Sequence, residues 1–279
     1  MPNPPRFYRS IRQAIRQRSG LPSPAASDTS WLQRGIGAMR QMDYQTATHC
    51  FEQAIKEQPT SHAVWYGHGM ALYYLGHDEA ALEAFTRASQ LQPLSHLAWY
   101  GRGMTLAEIG RDEDALAAFD QAINLQPRSH LAWLAKGMTL VHEQRWKEAM
   151  EVLQAALERH PQTAHVWYGL GAARLQAEYY TEALEAFENS LQLQEDFDLA
   201  WYGKGLALSQ HGRLTEALEA FDAALALNPQ GMLAWFHKAE TLQSLERHDE
   251  ARTAFEQVLK LSPSSHPLYS QARQKLQTL

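Results

Sequence analysis

Between Ser95 and Pro127 the apolar side chains fall three and four residues apart. Leu97, Trp99, Tyr100, Gly103, Met104 and Leu106 share helical spacing, and Ala115, Leu116, Phe119, Ala122, Ile123 and Leu125 share it again. Gly110 separates the two runs and stops the first as a helix-ending glycine does, and Pro127 follows the second. The pattern predicts two short amphipathic helices joined by a tight turn. Ser95 and Ser129 stand just before such a first helix, where a hydroxyl caps free backbone N–H groups.

The same pattern returns every 34 residues. Trp31, Trp65, Trp99, Trp133, Trp167, Trp201 and Trp235 mark the first helix of each unit. Ala47, Ala81, Ala115, Ala149, Ala183, Ala217 and Ala251 mark the second. Four residues further on stand Phe51, Phe85, Phe119, Leu153, Phe187, Phe221 and Phe255. Prolines close six units at Pro59, Pro93, Pro127, Pro161, Pro229 and Pro263, and Glu195 takes that place in the fifth. Self-similarity locked to one period marks a solenoid. No helix pair buries its apolar face alone, so stacked neighbours must build a continuous core.

These residues resemble the tetratricopeptide repeat (TPR) family. The third unit carries Trp99-x2-Arg102-Gly103-x2-Leu106, then Ala115-x3-Phe119, then Pro127. The resemblance covers residues 28–265 as seven units: 28–61, 62–95, 96–129, 130–163, 164–197, 198–231 and 232–265. It implies an all-α fold, a right-handed TPR superhelical solenoid of antiparallel A and B helices with a concave groove lined by the A helices. One departure recurs. Arg34, His68, Arg102, Lys136, Lys204 and Lys238 stand where the family has Leu, which this chain keeps only at Leu170. Residues 266–279 show an apolar face of Leu268, Tyr269, Ala272 and Leu276 and are expected to form a capping helix. Residues 19–27 read as a flexible linker, and residues 1–18 as a basic amphipathic segment with Phe7, Ile11 and Ile15 on one face.

The family resemblance places Tyr66, Tyr100, Tyr168, Tyr202 and Phe236 on the groove. One helical turn on come Met70, Met104, Met138 and Leu206, and one turn back Leu97, Leu131, Leu199 and Leu233. Chaperone-tail binders of the family hold Lys and Asn at such places, so a carboxylate clamp is not expected here. An aromatic and apolar groove suits an amphipathic or extended segment of a partner protein. Each Tyr is followed by a glycine, at Gly67, Gly101, Gly169 and Gly203, and two residues later by another. The second matches the family's small residue between helices A and B. The first leaves a notch, which either admits a partner or is filled by a neighbouring repeat's Tyr.

Charge divides the chain. Arg6, Arg9, Arg12, Arg16 and Arg18 give residues 1–27 a formal +5 with no acid, leaving 20 basic and 31 acidic side chains elsewhere, a formal −11. Phosphate backbones would repel that body, which argues against nucleic acid and an RNA-binding helical repeat. The five arginines could tether the chain to an anionic membrane surface or to a partner, as in a membrane-peripheral assembly factor for a multiprotein, even photosynthetic, complex. Their Arg-rich, acid-poor character also leaves organelle import open. No apolar run is long enough to span a bilayer and the start lacks a secretory core, so a cytoplasmic protein is expected.

Candidate chemistry is sparse. His62, His96 and His130 recur in one register, but repeats hold equivalent side chains roughly 8–10 Å apart, too far to share a zinc ion. The acids Asp114, Glu148, Glu182, Glu216 and Glu250 open B helices, where the helix dipole favours them. Cys50, the single cysteine, is expected to be a buried, inert thiol. No nucleophile–base set is visible, so no enzyme, metal or cofactor is expected.

Overall fold

The computed structural model describes residues 30–279. The basic segment 1–18, with Arg6, Arg9, Arg12, Arg16 and Arg18, and the linker 19–27 lie outside the described residues. Within them the chain forms fifteen α-helices and no strand. The A helices are α1 (Trp31–Arg40), α3 (His62–Leu75), α5 (His96–Glu108), α7 (His130–His142), α9 (Ala164–Gln176), α11 (Asp198–Gln210) and α13 (Met232–Ser244). The B helices are α2 (Tyr44–Glu57), α4 (Asp78–Leu91), α6 (Asp112–Leu125), α8 (Trp146–Arg159), α10 (Tyr180–Leu193), α12 (Leu214–Leu227) and α14 (His248–Leu261), and α15 (Pro267–Thr278) follows.

The chain divides into two compact units, one ending at Glu143 and one beginning at Gln144. In the first, each helix from α1 to α7 packs on the next, and α1, α3, α5 and α7 also touch one another in sequence. In the second, α8 to α15 pack successively, and α9, α11, α13 and α15 form the corresponding row. Direct contact between successive A helices makes them the inner layer of each unit.

The periodic columns are the core. All seven alanines from Ala47 to Ala251 are inaccessible to solvent, and the six phenylalanines and Leu153 are buried with them. Leu268 and Ala272 extend the last core cluster into α15. Cys50 is buried, and that burial raises its thiol pKa.

Three local devices hold the period. Each A helix ends through one left-handed residue at the same register. It is Gly at Gly76, Gly110 and Gly212, but Met42, Gln144, Glu178 and Glu246 adopt the same positive φ. The amide after that residue returns to the A helix, as His77 N–H does to the Leu72 carbonyl at 3.0 Å. Next, in the six repeats from Trp65 to Trp235 the first-helix indole N–H donates to the backbone carbonyl six residues earlier. Trp65 reaches Pro59 at 2.8 Å, and Trp201 reaches Glu195 at 2.9 Å. Because the acceptor is backbone, loss of the fifth proline leaves this staple intact. Finally, side chains cap four helix starts, at Ser30, Asp43, Ser95 and His266. Ser95 Oγ accepts from Ala98 N–H, whereas Ser129, expected to do the same, makes no such bond. Four of the five acids at the B-helix starts also pair with an arginine three residues before them, Arg111–Asp114, Arg145–Glu148, Arg213–Glu216 and Arg247–Glu250, whereas Glu182 follows Tyr179.

The basic column at the family's leucine place has a physical role. Arg34, Arg102, Lys204 and Lys238 lie over the rings of Trp31, Trp99, Trp201 and Trp235, at 4.9 to 5.6 Å from the centroids. Lys136 and Lys204 also reach across to Asp120 and Glu188 on B helices, at 2.6 and 2.9 Å, and Lys238 reaches Asp222. His68 belongs to this column, and the charge of Glu52, the acid sixteen residues before it, acts on its ring without a hydrogen bond. Both ring nitrogens are buried without a hydrogen bond, and burial lowers its pKa.

Candidate functional site

Packing of consecutive repeats decides which part of the A-helix face is free. A Cβ added at Gly69 would lie 2.9 Å from the Phe85 ring of the same repeat, and one at Gly101, in the next repeat, 2.5 Å from the same ring. Phe85 therefore sits between two glycine faces. Phe51 sits likewise between Gly35 and Gly67, at 2.8 and 2.6 Å, and Phe187 between Gly171 and Gly203, at 2.8 and 2.5 Å. Real Cβ atoms essentially never come within 3.0 Å of such a neighbour. The paired glycines are thus close-approach residues on both sides of one ring.

This corrects the sequence reading of the first glycine. At Gly67, Gly101 and Gly203 the notch is neither open to a ligand nor occupied by a neighbouring tyrosine. The phenylalanine of the preceding repeat fills it. Gly169, whose preceding repeat carries Leu153 instead of Phe, is buried.

The tyrosine column lies beside these clamps. Tyr66 packs on Phe85 with ring centroids 5.9 Å apart, Tyr100 on Phe119 at 6.1 Å, and Tyr202 on Phe221 at 6.1 Å. Tyr168 packs on Phe187 at 5.9 Å and on Phe197 at 5.2 Å. Each tyrosine remains half-buried, one flank inside the core and one outside. Burial pushes the Tyr66 hydroxyl up to about 12, and burial raises Tyr100, Tyr168 and Tyr202 as well. These hydroxyls are neutral at physiological pH.

Other expected groove residues divide by accessibility. Met70 and Leu206 are half-buried, while Met104, Met138 and Phe236 are buried. Phe236 stacks edge-on to Phe255 at 5.6 Å. For Met104 the reason is the same inner-layer packing, since it shares a core cluster with Ala135 of the next A helix. The outer turn of the same face is different. Leu97 and Leu131, on successive A helices at one register, are 43% and 47% exposed. In α13 the methionine place holds Glu240, between His237 Nδ1 at 3.2 Å and Lys275 Nζ at 3.1 Å. Burial alone would raise its pKa, but hydrogen bonds from His237 and Lys275 bring it below the ordinary carboxylate value.

The recurring histidines do not converge. His62 Nε2 lies 2.8 Å from Ser95 Oγ, at the start of the next A helix. Burial lowers its pKa, and the ring serves the helix junction.

Helix pairs stacked with one period, each presenting an inner A-helix face, define a repeat solenoid. The tetratricopeptide repeat family profile matches six overlapping stretches, residues 32–88, 66–130, 106–162, 134–196, 168–231 and 202–266. The chain belongs to the tetratricopeptide repeat family, a non-enzymatic class of protein–protein interaction scaffolds. No curated protein matches it in sequence. Its fold is similar to a chain of the Cut9–Hcn1 hetero-tetramer of APC/C, with a TM-score of 0.72 and 17% identity over 95% of this chain. That match spans 54% of the Cut9–Hcn1 chain, so this chain corresponds to about half of it. A tetratricopeptide repeat protein from Parabacteroides merdae gives 0.71 at 14% identity, covering 88% of this chain and 96% of that one. Pseudomonas aeruginosa pilF gives 0.62 at 20% identity, covering 77% and 97%. Among the described residues no helix is long and apolar enough to cross a membrane.

Proposed function

We propose that this chain is a protein-recognition module that works by binding, without turnover, and that it takes an apolar or amphipathic segment of another protein along its A-helix face. One observation carries the reading: Leu97 and Leu131 are exposed at the same register of successive A helices, and Leu97 lies one turn from the half-buried Tyr100. A lone surface leucine is ordinary, but leucines repeated at the spacing of the array make a stripe that fits an extended or helical ligand. In the same unit the half-buried Tyr66, Tyr100 and Met70 are the further anchors, and the second unit carries its own row of Tyr168, Tyr202 and Leu206. Met104, Met138, Phe236 and the four glycines serve the core. The formal −11 outside residues 1–27 disfavours phosphate-bearing ligands.

The test is affinity capture with mass spectrometry, comparing wild type with the double variant Leu97→Glu and Leu131→Glu. Both positions are exposed, so the helical signal and the melting temperature should hold. A partner retained by wild type and lost by the variant supports the proposal. Identical captured proteins from the two baits would sink it.

A further inference from the structure

Asp112 opens α6, His142 closes α7 and Glu143 follows it. Their ligand atoms all lie within 4.8 Å of one another, and His142 Nδ1 is 3.1 Å from Asp112 Oδ2. In two other repeats aromatic rings meet at this junction. Two repeats earlier, Tyr44 and Tyr74, which stand where Asp112 and His142 do, stack at 4.8 Å. Two repeats later, Tyr180 meets His211 at 6.4 Å. Here two carboxylates and an imidazole replace ring-on-ring packing.

Several acids elsewhere have a basic partner. Asp114, Asp120, Glu148, Glu188, Glu216 and Glu250 each pair with an arginine or lysine. Even Glu240, beside His237, has Lys275. Among the described residues, neither Asp112 nor Glu143 pairs with a lysine or arginine. Two adjacent carboxylates repel, and a shared proton, the neighbouring imidazole or a metal ion relieves that repulsion.

We propose that Asp112, His142 and Glu143 bind a late first-row divalent cation of the zinc class. One imidazole nitrogen with two carboxylate oxygens suits zinc and its neighbours better than magnesium or calcium, which take oxygen alone. Zinc bonds of about 2.0–2.2 Å put adjacent donors roughly 3.3 Å apart. The His142–Asp112 pair already stands at 3.1 Å, and Glu143, the exposed member, closes by side-chain rotation. Three protein donors leave one position for water. Bound metal would tie the end of α7 to the start of α6.

The test uses the full chain stripped with chelator, titrated calorimetrically with zinc chloride and, separately, magnesium chloride. One zinc should bind, magnesium should not, and the melting temperature should rise by on the order of 5 °C at a hundredfold excess over Kd. Asp112→Asn, Glu143→Gln and His142→Gln should each weaken zinc binding at least tenfold, while His77→Gln, at an exposed histidine, should leave it unchanged. Cobalt substitution adds a direct readout, because a nitrogen–oxygen site gives visible d–d absorption that the three variants should lose. If His142→Gln fails to fold, the near-isosteric Asp112→Asn and Glu143→Gln decide. Absence of saturable zinc uptake, or uptake equal to wild type in Asp112→Asn and Glu143→Gln, overturns the proposal and leaves a plain histidine–aspartate contact.

Discussion

Replacing Gly101 by leucine opposes two effects of known sign. Leucine is the better helix former, so the change should help α5 by about 0.8 kcal/mol where nothing else intervenes. The structure opposes that gain. The first atom of the new side chain would lie 2.5 Å from Phe85 Cε1 and 2.7 Å from Cδ1. The ring cannot retreat, since Phe85 is 0% exposed and Gly69 meets it from its own repeat. Overpacking of this kind costs about 1–3 kcal/mol. The net expectation is a loss of about 1–2 kcal/mol, or roughly 2–8 °C in melting temperature. Thermal unfolding followed by circular dichroism measures it. A double-mutant cycle identifies the cause. Phe85→Ala alone opens a cavity and should cost about 3–5 kcal/mol. Combined with Gly101→Leu the loss should be smaller than the sum, by about 0.5–3 kcal/mol, because the new side chain enters the vacated space. A Gly101→Leu protein as stable as wild type, with effects that simply add to those of Phe85→Ala, would refute the clamp and return Gly101 to the ligand face.

His68→Leu should raise stability by about 1–3 kcal/mol, because it removes two ring nitrogens buried without a hydrogen bond from a place where the fifth repeat buries Leu170; denaturant titration checks it, and a loss would show that the attraction to Glu52 outweighs that cost. Glu178→Gly should stabilise by about 1 kcal/mol, since Glu178 holds φ 64° on an exposed turn where glycine carries no Cβ penalty; an unchanged melting temperature contradicts it. Glu240 has a folded pKa below its unfolded value, so its stabilising effect is present above the ordinary carboxylate range and fades as pH falls through the folded value. The melting advantage of wild type over Glu240→Gln should therefore shrink between neutral and acid pH, and a gap that does not move with pH would exclude this linkage.

Local spacing along the chain determined the helices and the core. Apolar residues three and four apart, repeated every 34, could lie on one side only as paired helices, and the alanine and phenylalanine columns could be buried only between them. A helix depends on neighbours a few residues away, so this level is legible without coordinates. Tertiary structure decided the rest. Phe85 touches Gly101 because one repeat is set against the next at a particular distance, and sequence period does not carry that distance. The fold also buries Met104, Met138 and Phe236 and leaves Leu97 and Leu131 outside, although all five share a face by spacing. The basic column looked like a departure from the family until the tryptophan rings and the B-helix acids appeared within reach. Asp112 and His142 are 30 residues apart and match no ligand spacing. Only the stacking of α7 against α6 brings them together, because a solenoid makes neighbours of residues about one period apart.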